Sequence, residues 1–115
     1  MTPPKRAFAE SFPVAKPVRL EALIEYGEDA IVSRTLARTE SGTLTLFAFS
    51  AGQGLSEHTA PFDAFVQVVE GELDLIVDGE HVLAKAGENV LMPASIPHSV
   101  NAEVNAKMLL FMLKK

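Results

Sequence analysis

The run from Gly71 to Gly87 (GELDLIVDGEHVLAKAG) constrains the fold more than any other part of the chain. Leu73, Leu75 and Val77 alternate with Glu72, Asp74 and Ile76, close to the period-2 pattern of a half-buried strand. Asp78 and Gly79 then supply the two positive-φ residues that a type I′ hairpin turn needs. Val82, Ala84 and Ala86 run back antiparallel, and Gly87 ends the return strand. His58 precedes this hairpin and His98 follows it, each on a strand bounded by Gly or Pro.

The same punctuation recurs along the chain. Residues 30–36, 43–49, 55–59, 64–69, 90–92, 98–100 and 108–113 read as further strands. Turn residues recur about every eight to twelve positions, the spacing of an all-β sandwich or barrel. The strand 43–49 alternates Thr with Leu and then turns aromatic, which suits burial on both faces toward its end. Leu20, Leu23 and Ile24 make the one helical spacing, a short element closed by Gly27. Met108 and Met112 share one parity of the last strand, facing the interior.

Composition narrows the function. The chain has 115 residues, 48% of them hydrophobic, and is expected to form one globular domain over residues 18–115. It lacks cysteine, which removes disulfides, thiolate catalysis and cysteine-based metal sites. The net charge of −5, without a basic stripe, argues against a nucleic-acid partner. No apolar run approaches the roughly 18 residues of a membrane span, and Glu10, Pro13, Lys16 and Pro17 interrupt any leader-like segment. A cytoplasmic location is the expectation. Residues 1–17 hold four of the seven prolines and read as an arm, with Phe8, Phe12 and Val14 as apolar surface for docking.

Two motifs resemble those of the cupins. Gly52, His58 and Gly71 follow the first cupin motif, and Gly87, Pro93 and His98 follow the second. The motifs span residues 52–98, and the flanking strands extend the likeness from about residue 30. The resemblance implies an all-β jelly-roll barrel, the double-stranded β-helix of RmlC-like proteins, with one short helix at most.

In metal-binding cupins three histidines and a glutamate hold one divalent ion, so the resemblance also implies a candidate ligand set. His58 and His98 stand at two of those positions, but Ala60 and Ala64 replace the second histidine and the glutamate. Ser95 stands at the second-motif glycine. Stable metal sites normally take at least three protein ligands. Two imidazoles alone would hold Zn, Fe, Ni or Mn weakly. Asp63 and Gln67 are the nearby substitutes, but strand alternation turns them outward if position 64 points inward.

The expectation is therefore a small organic ligand in the barrel, bound around His58 and His98 and lined by Ala60, Ala64 and Val66. The metal-free or weakly metal-binding form stands against an alternative. That alternative is a mononuclear divalent-metal enzyme of the dioxygenase, isomerase or decarboxylase type with a non-standard ligand set. His81 follows the hairpin turn and is assigned no role. No nucleophile-elbow motif surrounds Ser56, Ser95 or Ser99. A homodimer is expected, with the arm and strand 43–49 as its surfaces.

Overall fold

The computed structural model describes residues 6–114. Residues 1–5 of the expected arm and Lys115 lie outside the described residues. Among the described residues nine strands follow one short 3₁₀ turn, Leu20–Leu23. They are β1 (Ile31–Thr39), β2 (Gly42–Phe49), β3 (Gly54–His58), β4 (Asp63–Glu70), β5 (Glu72–Val77), β6 (Glu80–Lys85), β7 (Asn89–Met92), β8 (His98–Asn101) and β9 (Ala106–Leu113). Among the described residues no helix is long and apolar enough to cross a membrane.

The hairpin β5–β6 forms in the expected register, with Leu75 opposite Val82 and Leu73 opposite Ala84. Asp78 at φ 51° and Gly79 at φ 81° make the turn. Both φ values are positive, as the right-handed twist of a two-residue hairpin demands. Leu73 and Leu75 are fully buried, whereas His81 sits outside and its Nδ1 lies 2.8 Å from Asp74 Oδ2.

Two sheets face each other. One has the order β1-β2-β9-β4-β7 and the other β3-β8-β5-β6. Between them lies the main core, in which Phe49, Val66, Val68, Leu75, Met92 and Met108 are buried. Their alternate parity on neighbouring strands puts every second side chain inside. Met108 is buried and Met112 packs against the same core, as their shared parity implies.

A second, smaller core occupies the outer face of β2. Leu46 and Ala48 are buried there with Leu36 and Ile24, beneath Phe12, Leu20, Leu23 and Tyr26. The two-faced burial read from residues 43–49 thus has a specific cause: the chain's own N-terminal segment crosses this sheet. That segment also adds a short rung to edge strand β1. Phe8 bridges Ala37, Ala9 N donates to Leu36 O at 2.8 Å, and Arg38 N donates to Ala7 O at 3.0 Å. Covering an edge in this way protects its unpaired backbone groups. The described part of the arm and the outer face of β2 therefore pack on each other within one chain, where sequence had assigned both to a partner subunit.

A polar clasp fixes the segment. Lys107, buried on β9, donates from Nζ to Glu21 O at 2.7 Å and lies 3.5 Å from Glu70 Oε2. Its ammonium sits 4.7 Å from the centroid of the Tyr26 ring, and the Tyr26 hydroxyl donates to Glu70. Burial, reinforced by the Glu70 carboxylate, pushes the Tyr26 phenol well above its ordinary value, so it stays protonated as the donor.

Candidate functional site

Strand register brings the chemistry-bearing residues to one end of the barrel. On one sheet Thr43 pairs with Met112, and Ala64 pairs with both Met112 and Met92. On the other His58 pairs with His98, and His98 with Val77. His58 ends β3 and Asp63 begins β4, so the connection 59–62 closes this same end.

The two imidazoles meet edge to face, with ring centroids 4.3 Å apart and an interplanar angle of 70°. Their Nε2 atoms are 3.1 Å apart. His58 Nδ1 lies 2.9 Å from Ser56 O, and His98 Nδ1 lies 3.1 Å from Ile96 O. A carbonyl oxygen can only accept, so each Nδ1 carries the proton in its ring. The two Nε2 atoms then face each other at hydrogen-bond distance, where they can share one proton or accept together from a ligand. His98 is 5% exposed and His58 is open to solvent. Burial, with a smaller contribution from His58, pushes the His98 imidazole below its ordinary value, against the Ile96 carbonyl that raises it. The imidazole pair is completed by a hydrogen-bond donor or by a cation.

The remaining candidates separate by parity. Ala64 and Val66 face inward at 2% and 0% exposure and belong to the packed core, while Ala60 is half-buried at the barrel end. Asp63 and Gln67 share the outward parity of exposed Phe65. Asp63 Oδ1 accepts from Ala94 N at 2.9 Å and so pins the loop before β8. Register shifts on β4 occur only between Val68 and Glu70, past both residues, so no bulge rotates them inward.

Open space at this end lies one strand further on. A cavity of about 420 Å³ is lined by Val77, Val82, Val90, Pro93 and Ile96, with Asp78 and Glu80 at its rim. Val77 is the direct cross-strand neighbour of His98, and Ile96 carries the carbonyl that orients the His98 ring. None of these apolar residues was assigned to the site from the sequence. The signal was present: Val77 and Val82 are interior-parity positions beside a turn, where a barrel interior opens to solvent.

The metal implied by the cupin likeness can be tested against this donor set. Two Nε2 atoms 3.1 Å apart, each about 2.1 Å from one ion, would subtend roughly 95°, an ordinary angle between neighbouring ligands. Among the described residues no group of three or more His, Cys, Asp or Glu side chains stands ready to hold an ion. The residues fit half a site.

Ser95 carries a local cost of the departure from the second motif. Its φ is 66°, and its N donates to Ala60 O at 2.8 Å, holding the two loops of this end together. A side chain in this left-handed region costs about 1–2 kcal/mol relative to glycine. Ser95→Gly is therefore expected to stabilise the protein by about 0.5–1 kcal/mol in urea unfolding, net of the glycine's greater unfolded entropy. A loss of stability would mean that the serine hydroxyl contributes more than the strain.

Comparison with known proteins agrees with this geometry. A cupin domain model matches residues 45–113, which include both histidines. A conserved protein of unknown function from Streptococcus pyogenes is 30% identical, with a TM-score of 0.88 over 94% of this chain and 95% of that one. A cupin 2 conserved barrel domain protein from Leptotrichia buccalis is 43% identical, covering 83% of this chain and 46% of that one at a TM-score of 0.80. The polyketide synthase CurC of Streptomyces cyaneus is 36% identical over 59 residues. That match takes in 50% of this chain and only 38% of the curated relative's length. With the jelly-roll topology, the motif spacing and a family match across more than half its length, the chain belongs to the cupin family.

Proposed function

We propose that this cupin binds a small hydroxyl-bearing organic molecule, a phenol or an enol, at the His58–His98 end of its barrel. The carrying observation is the 3.1 Å approach of two Nε2 atoms whose Nδ1 atoms both face backbone carbonyls. Two converging lone pairs accept one acidic O–H, and the proton can be shared between the rings as the hydroxyl ionises. The apolar body of the ligand goes into the cavity walled by Val77, Val82, Val90 and Ile96. A neutral donor suits the site better than a carboxylate, which the lone pairs and the Asp78–Glu80 rim would repel. The likeness to a protein named polyketide synthase, over half of this chain, is in keeping with a small organic ligand.

The test is a titration of the full chain with phenol, read from the imidazole nitrogen signals by NMR. Saturable shifts of both rings, lost in His58→Gln and His98→Gln, are expected. Equal binding by the His58→Gln/His98→Gln double variant would discard the reading.

The Nε2 spacing also favours a second reading, in which one divalent cation bridges the rings and the protein is a metal-dependent enzyme. Metal content by mass spectrometry on tag-free protein, purified without chelators, separates the two. Near-stoichiometric iron, zinc, nickel or manganese would replace the first reading with the second.

The homodimer is also proposed, on a different face from the one read in the sequence. Register places Leu91 beside Phe65, Phe65 beside Phe111, and Phe111 beside Leu44, all on the outside of one sheet. Leu91 is 56% exposed and Phe65 43%, and Leu113, at 46%, continues the patch. An uncharged row of this kind matches its own image across a two-fold axis. Phe65→Glu is expected to convert a dimer to a monomer in sedimentation velocity with little loss of stability, because the side chain points outward. A wild-type monomer at tens of micromolar would remove the proposal.

A further inference from the structure

We infer that a second site, separate from the histidine pair, takes a small monocarboxylate with an aromatic or short aliphatic body. It lies in a cavity of about 320 Å³ between the β1–β2 turn, the end of β9 and the β3–β4 connection. That volume falls at the lower end of the range for small-molecule pockets, roughly 300–1,000 Å³.

The lining divides into a charged rim and an apolar floor. Arg38, Glu40 and Lys114 carry the rim charges, and Phe62 and Met112 form the floor. Met112 packs against the main core, which gives the floor a fixed backing. Two cations against one carboxylate leave a single net positive charge, which matches a monoanion and not a dianion. Among the described residues neither Arg38 nor Lys114 forms an ion pair, although Glu40 lines the same cavity. The chain as a whole is negative, with a net charge of −5, so this local positive field stands apart from the general surface.

The main chain at both cationic residues is hydrogen-bonded to neighbouring segments. Arg38 N donates to Ala7 O at 3.0 Å, and Lys114 N donates to Ser41 O at 2.7 Å. Their side chains leave fixed main-chain positions at the cavity. Arginine presents a planar fork of donors that fits a carboxylate in two parallel hydrogen bonds. Thr39 Oγ1 accepts from Ser41 N at 3.1 Å, which leaves its O–H free to donate. The Lys114 ammonium lies 6.0 Å from the centroid of the Phe62 ring, so cation and aromatic face a common space. A carboxylate at Arg38 and Lys114 would direct its organic body onto Phe62 and Met112. The site differs in kind from the histidine pair: this cavity offers donors to an anion, the pair offers lone pairs to a donor.

The full chain, titrated with benzoate and followed by amide NMR, tests this. Saturable shifts at Thr39, Thr43, Phe62 and Met112 are expected, weakening as salt rises. Benzyl alcohol, which keeps the ring without the charge, and inorganic phosphate, which keeps charge without the ring, are each expected to bind at least about tenfold more weakly. Arg38→Gln and Lys114→Gln alter exposed side chains, so their amide spectra should match the wild type away from the cavity. Each is expected to weaken benzoate by about tenfold. No saturable shift, or wild-type affinity in both variants, would overturn the inference. Benzoate shifts confined to the rings of His58 and His98 would also overturn it, by placing the anion at the pair. Loss of phenol binding at the pair, with benzoate binding intact, would remove only the proposed function.

Discussion

The double variant Ala60→His/Ala64→Glu is expected to bind divalent cations at least two orders of magnitude more tightly than the wild type. The wild-type chain offers two imidazole nitrogens 3.1 Å apart, and the variant adds a third nitrogen and a carboxylate that offsets the ion's charge. Ala64 faces the interior at 2% exposure, so a glutamate there has no water to hydrate it. Without metal the variant should therefore be less stable than the wild type by about 2–4 kcal/mol. Its carboxyl would escape part of this cost by staying protonated. Added Zn²⁺ or Mn²⁺ should return much of the loss, since a ligand at one hundred times its Kd contributes about 2.7 kcal/mol. Calorimetric titration and urea unfolding with and without metal read the two effects separately. No gain in affinity would mean that positions 60 and 64 do not converge on the histidine pair.

Gly71→Ala is expected to cost about 3–5 kcal/mol, a large part of the stability of a domain this size. The residue has φ 71°, and a Cβ there would sit 2.3 Å from Asn105 O and 3.1 Å from Ala106 Cα. Both neighbours are backbone, so relief requires β4, β5 and the start of β9 to move apart. Gly71 O also accepts from Ala86 N at 3.0 Å, which ties both ends of the β5–β6 hairpin to this point. A loss of that size would lower Tm by at least about 10 °C. Gly79→Ala is the control. Its φ is 81° and a Cβ would meet nothing within 4 Å, so only the conformational cost of about 1 kcal/mol applies. Equal losses at the two positions in urea unfolding would show that close approach contributes nothing at Gly71.

The sequence by itself determined what depends on neighbours along the chain. Alternation set which side chains of β4 and β5 face inward, and the absence of a bulge before Val68, which only the structure shows, leaves Asp63 and Gln67 on the outer face. The Asp78–Gly79 pair located the turn because few residue pairs tolerate two positive φ values in succession. The spacing of His58 and His98 relative to their glycines located one end of a barrel, through a likeness that the family match bears out. The helical spacing at Leu20–Ile24 yielded only a four-residue 3₁₀ turn, because its apolar side chains are spent on the outer face of β2.

Tertiary structure decided what depends on volume and on contacts between distant segments. Residues 12–26 and β2 each show apolar surface, but only folding shows that they cover one another. Val66 reads as a pocket wall from its parity, yet Met92, Met108 and their neighbours fill the space around it. The open cavities lie instead at the two flanks of the barrel end, between Val77 and Val90 on one side and between Arg38 and Phe62 on the other. Parity assigns a face to each side chain but cannot tell a filled interior from an empty one, since that depends on how closely two sheets pack. The meeting of the two histidine rings is decided in the same way: each Nδ1 faces a carbonyl two residues earlier in its own segment, but the Nε2 atoms approach only when β3 pairs with β8.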